Sequence, residues 1–246
     1  MAERGIDYLP GSVEWADMDP TATAAALAPI GELHHLPPPA VARTFERYLE
    51  RFRQLRRGEA DWVQYSPYEI RIVGALVRLG WRASAHELLA FFLGDRRPLA
   101  WNQWPEIAWR DPRSPAHLGD LPHTWVAAEY MLAFQSLLAF EREEDDALVL
   151  AAGLPLAWLP PDSEVRVEGL PTHYGRLEYE LRREGPRTLR LSVAGELAVP
   201  RGGIVVRPPL PGRIVRARDD DGRAVASEPD GLTLRSVPSR IAIECG

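Results

Sequence analysis

The sequence predicts an α+β multidomain chain: a partial α/α toroid of helical hairpins over residues 1–145, followed by an antiparallel β-sandwich over residues 146–246. Three observations lead there. The apolar period is helical in the first part and changes to two from Ala147 onward. The helical segments alternate between apolar on most faces and amphipathic, as inner and outer helices of a two-layered ring do. Turn signals recur at short intervals in the second part, as between the strands of a sandwich.

In chain order, Pro20–Ile30 is an uncharged run of Ala, Thr and Leu and predicts a buried helix. Pro39–Arg57 carries Val41, Phe45, Tyr48, Phe52 and Leu55 on one stripe, with Arg43, Glu46, Arg47, Glu50 and Arg51 opposite, and predicts a half-exposed one. Pro67–Leu79 is again apolar on most faces, Ala83–Leu93 is amphipathic, and His123–Glu141 is apolar nearly throughout. An ordinary irregular helical bundle is the alternative architecture, since it too has central and peripheral helices. Beyond Ala147, Leu177, Tyr179 and Leu181 alternate with charged residues, as do Leu189, Leu191 and Val193 with Arg190 and Ser192. Gly185-Pro186, Gly202-Gly203, Asp221-Gly222 and Asp230-Gly231 punctuate further strands near Ile204–Arg207, Arg213–Arg218, Leu232–Arg235 and Arg240–Glu244.

With 46% hydrophobic residues the chain can bury a sizeable core, and a net charge of −6 offers no basic footprint for nucleic acid or an anionic membrane. The single cysteine, Cys245, excludes an internal disulfide and a cysteine-based zinc site. No metal-ligand spacing, phosphate-binding glycine loop or nucleophile elbow stands out, so the expectation is no cofactor and no metal. The opening residues lack a charged and then apolar leader, and no later window is long enough to span a membrane, so the expected location is cytoplasmic.

Three aromatic-and-acid clusters introduce the helices expected to be inner: WADMDP (Trp15, Asp17, Asp19), DWVQYSPYE (Trp62, Tyr65, Glu69) and GDLPHTW (His123, Trp125). Equivalent positions in a ring would bring them to one mouth. Between Asp95 and Asp120 lies a long connection containing PLAWNQWPEIAWRDPRSP. Indole faces suit the apolar faces of sugar rings and polar side chains suit hydroxyls, so Trp101, Asn102, Gln103 and Trp104 form a saccharide-facing set. Glu106, set among indoles that would raise its pKa, is the best general acid. Asp17 or Glu69 would be its opposing carboxylate, as glycoside hydrolysis needs a pair. The bland roles are a helix cap for Asp19 and for Glu69, a structural role for His123, and a buried ion-pair partner for Glu129, which otherwise lines a polar cavity. Thr172, His173 and Tyr174 of PTHYG form a turn or reach a shared cleft.

The stretches SVEWADMDPTATA, YSPYEIRIVGALVRLG, WNQWPEIAWRDPRSP, DLPHTWVAAEYMLAF and EGLPTHYGRLEYEL resemble the C-terminal part of large bacterial six-hairpin glycosidase-like proteins, over most of the chain. The resemblance implies an (α/α)6 toroid with a carbohydrate site where the inner helices begin, a β-sandwich nearby, and an oligosaccharide or glycoside as partner. A full ring needs six hairpins and this chain supplies about two and a half, so another chain or a further N-terminal segment would complete it. A non-catalytic carbohydrate-binding or scaffold protein, and a module docking a partner chain through an exposed helical face, are the alternative functions.

Overall fold

The computed structural model describes residues 2–61, 64–109, 111 and 119–246. The chain divides into two compact units, residues 1–134 and 135–246.

Unit one is helical. Helix α1 (Pro20–Leu27) starts at an Asp19 cap, whose carboxylate accepts the backbone N–H of Thr21 at 2.9 Å and of Ala22 at 3.2 Å, with Pro20 at the first helical position. It ends before the expected Ile30 because Ala28 precedes Pro29 and is forced to an extended conformation. Helix α2 (Pro38–Arg57) buries Val41, Phe45, Tyr48 and Phe52 on the predicted stripe and closes on Gly58, whose φ of 73° is the left-handed value a helix end needs. A short 3-10 turn, Pro67–Ile70, feeds α3 (Arg71–Arg78), which buries Ile72 to Val77 without a break and packs against α1 on one side and α4 (Arg82–Gly94) on another. The central helix is therefore apolar all round, as its sequence requires. Two short strands, β1 (Gln64–Tyr65) and β2 (Ala108–Trp109), pair antiparallel.

Helix α5 (Thr124–Leu138) departs from expectation twice. It ends three residues before Glu141, because Ala139–Arg142 leaves the helix to become β3 and pairs with β4 (Ala147–Leu150). Its apolar circumference is also only partly covered. Val126, Tyr130 and Ala133 are buried, whereas Trp125 is 70% and Met131 74% exposed.

Unit two holds ten of the twelve strands among the described residues: β3, β4, β5 (Glu164–Thr172), β6 (Gly175–Arg183), β7 (Thr188–Ala194), β8 (Gly203–Val206), β9 (Ile214–Asp219), β10 (Ser227–Glu228), β11 (Gly231–Leu234) and β12 (Ser239–Cys245). They form two five-stranded sheets, β10-β11-β8-β4-β3 and β5-β6-β7-β12-β9. The second is antiparallel throughout; the first contains a parallel pair, β4 with β8, that an all-antiparallel reading does not include. One continuous core takes Leu148, Leu150 and Ile204 from the first sheet and Leu181, Leu191 and Ile243 from the second. The alternation read at Leu177, Tyr179 and Leu181 is the inward face of β6.

Candidate functional site

A polar cluster in unit one is built at the neck of the long connection and the start of α5. Two backbone hydrogen bonds close that neck: Glu106 N–H donates to Asp120 O at 3.0 Å, and His123 N–H donates to Trp104 O at 3.1 Å. Glu106, Asp120 and His123 are thereby fixed on adjoining rungs. Gly119 permits it, since a Cβ there would lie 2.6 Å from Glu106 Cβ and 2.7 Å from its Oε2. Ser66, which caps the 67–70 turn, donates its hydroxyl to Glu106 O at 2.8 Å and ties that turn to the neck.

Tyr68 completes the cluster. Its hydroxyl lies 2.8 Å from His123 Nε2, and its ring meets His123 edge-on at 5.4 Å and Trp125 at 6.4 Å. The Arg71 guanidinium stands 5.5 Å over the Tyr68 ring and is ion-paired with Glu129. Burial pushes the Tyr68 phenol up; Arg71 opposes this, while the negative charge of Glu106 and Glu129 adds to it. Tyr68 therefore stays protonated and can donate to an imidazole nitrogen or to a ligand. The other imidazole nitrogen, Nδ1, faces Asp120 at 3.9 Å. Ligand atoms of Glu106, Asp120 and His123 all lie within 4.8 Å of one another, close enough for the three to hold a divalent cation. The exposed Trp125 indole beside this hydrogen-bonding set offers a flat apolar face.

The residues singled out from sequence distribute unevenly over this geometry. Glu106, His123, Trp125 and Glu129 come together, with Tyr68, Arg71 and Asp120, which sequence reasoning did not choose. Tyr68 stands next to Glu69 in a 3-10 turn, where successive side chains diverge by about 120°. Glu69 accordingly faces α2, accepting the Tyr48 hydroxyl at 2.6 Å. Asp17 accepts Ser12 N–H at 2.8 Å and pins the N-terminal loop, on which Trp15 is 83% exposed. Tyr65 is buried and packs on Phe91 and Phe92. Trp104 stacks on Tyr130 with centroids 3.5 Å apart and donates its indole N–H to Phe92 O at 3.1 Å, so its ring serves packing. The Gln103 carbonyl accepts Arg97 N–H at 2.9 Å, Asn102 accepts from Arg96, and Trp101 is exposed on the 99–101 turn. Trp62 lies outside the described residues. In unit two, Thr172 donates its hydroxyl to Gly175 O and receives Tyr174 N–H, so PTHYG forms a hairpin turn, and His173 N–H donates to Glu141.

A second feature of unit one is a cavity of about 450 Å³ at the start of α1, lined by Met18, Asp19, Tyr48, Arg51, Phe52 and Glu69 among others. Burial raises the Glu69 carboxyl to about 7, the Tyr48 hydrogen bond only partly offsetting it. Burial, together with the neighbouring Glu69 charge, holds the Tyr48 phenol well above its usual range, so it remains the donor of that bond.

No helix among the described residues is long and apolar enough to cross a membrane. No protein-family model and no curated protein sequence matches the chain.

Proposed function

We propose that this chain is a glycoside-processing protein of the six-hairpin type, its helical unit contributing two to three hairpins of an α/α toroid and its β-unit a sandwich. The observation that carries the reading is the cluster of Tyr68, Glu106, Asp120 and His123 under the open Trp125 indole. An indole platform beside a carboxyl, a phenol and an imidazole is the chemistry a sugar ring calls for: stacking on its apolar face and hydrogen bonds to its hydroxyls. Glu106 is the proton donor to the leaving glycosidic oxygen, and Asp120, on the adjoining rung, is the carboxylate within reach of the same bond. The uncovered face of α5 is where another chain or a further segment would continue the ring.

The experiment is turnover of a panel of oligosaccharides and aryl glycosides by the intact chain, with direct binding measured in parallel. Glu106→Gln is expected to lower kcat by about 10²- to 10⁴-fold, as loss of a general acid does, while sugar binding changes little. Equal turnover by the variant and the parent would refute the assignment.

A second reading, a carbohydrate-binding protein without hydrolysis, is favoured by the engagement of the other acids: Asp17 holds a loop, Asp19 caps α1 and Glu129 pairs with Arg71. Sugar binding with no turnover by the parent would select it.

A further inference from the structure

The cavity at the start of α1 carries an electrostatic asymmetry that the glycoside reading leaves unused. At one wall, Glu69 accepts a single hydrogen bond, from Tyr48, and has no cationic partner among the described residues. A carboxyl in this position is costly when ionised, because burial strips its hydration and nothing positive replaces it. On another wall stands Arg51, which forms no ion pair among the described residues, in contrast to its neighbour Arg47, held by Asp7 at 2.7 Å and stacked 5.0 Å from the Tyr8 ring. The other acid of the lining, Asp19, spends its carboxylate on Thr21 and Ala22. The cavity is thus lined by an acid without a cation and a base without an anion, and these two are not joined to each other. Met18, Phe52, Leu55 and the Tyr48 ring supply apolar wall in the same cavity. A volume of about 450 Å³ suits a molecule the size of an aromatic amino acid.

We propose that this cavity binds a small zwitterion, its ammonium group on Glu69, its anionic group on Arg51 and its apolar body against Met18, Phe52 and Leu55. An ammonium supplies the positive charge that the partly buried carboxylate lacks. Complementarity to both charges distinguishes such a ligand from a simple amine or acid. The charged or titratable groups facing Glu69 across the cavity are Tyr48, Arg47 and Arg51 from α2 and Asp19 from the start of α1. None of them belongs to the Glu106 cluster, so the proposal stands independently of the glycoside reading.

The test is calorimetric titration of the intact chain at pH 8 with L-phenylalanine, phenethylamine and 3-phenylpropionate, which share a body and differ only in their charged ends. The zwitterion is expected to bind at least tenfold more tightly than either singly charged probe. Glu69→Gln keeps an acceptor for Tyr48 and is expected to abolish the preference for an ammonium. Arg51→Gln is expected to bring phenylalanine down to the affinity of phenethylamine. Lowering the pH from 8 to 6 should weaken phenylalanine binding about tenfold, following the ionised fraction of a carboxyl at about 7. Leu55→Trp fills the space without altering a charge, and its loss of binding with an unchanged melting temperature would locate the ligand in the cavity. Preference for 3-phenylpropionate, binding indifferent to Glu69→Gln, or no binding of any probe would overturn the proposal.

Discussion

Glu69 shows at the scale of one residue how a cap-like sequence signature becomes something else. Ser66-Pro67-Tyr68-Glu69 reads as a capping box, and Ser66 does accept Tyr68 N–H. The turn, however, is 3-10, so Glu69 swings toward Tyr48 on α2 and becomes a partly buried acid. Its folded-state pKa is about 7 against an ordinary 4.5, so the folded chain holds the proton more tightly than the unfolded one. The associated stability is fully present below pH 4.5 and is lost as pH rises through about 7. Glu69→Gln should therefore leave stability nearly unchanged at pH 4 and raise it by up to about 3 kcal/mol at pH 8, read from urea midpoints at the two pH values. A gain of equal size at both would show that the carboxyl is not desolvated. Residue type and neighbourhood singled out Glu106 as an acid in the sequence and His123 as either a structural or a substrate-facing residue. Tyr68 and Asp120 were not legible, because their roles come from contacts between segments far apart in the chain.

At the scale of elements, the site depends on a neck and not on a helix face. The hydrogen bonds from Glu106 to Asp120 and from His123 to Trp104 set three side chains in register, and Gly119 lets the two strands of the neck approach. Gly119→Ala forces its new methyl against Glu106, with Ile107 N only 3.1 Å away, so the backbone must shift. The expected cost is about 1–3 kcal/mol, with glycoside turnover falling while phenylalanine binding at the cavity is retained. Unchanged turnover in that variant would mean that the position of Glu106 is immaterial. Helix existence was legible from period alone, and α2 carries its stripe where the sequence puts it. Two boundaries were not: Pro29 shortens α1, and β3 takes the end of the predicted fifth helix because pairing with β4 satisfies its backbone. Strand β4 itself, ALVL, is buried at every position and offers no alternation to read.

At the scale of the molecule, the apolar period changes at Ala147, whereas the two compact units divide between residues 134 and 135, within α5. What the period could not reveal is which apolar faces find cover. Trp125 and Met131, about 120° apart around α5, bound an uncovered arc of the helix, and large exposed apolar surface of this kind marks a contact site. Sedimentation equilibrium is expected to show an average mass above the 27.5 kDa of one chain at high concentration, and Met131→Glu to return it to the single-chain value. A parent mass equal to one chain at every concentration would count against coverage by another copy and leave a different segment or partner to cover that side.

The parallel pairing of β4 with β8 has a kinetic consequence. Strands β5, β6 and β7 lie between them in the chain and belong to the other sheet, so β4 waits with one edge unpaired until that whole meander has been made and the chain returns. Contacts of such long sequence separation are slow to form, because the intervening chain must be ordered first. During synthesis or refolding the β3–β4 hairpin is consequently the segment most open to pairing with the wrong strand, and its four successive buried residues make that mistake a sticky one.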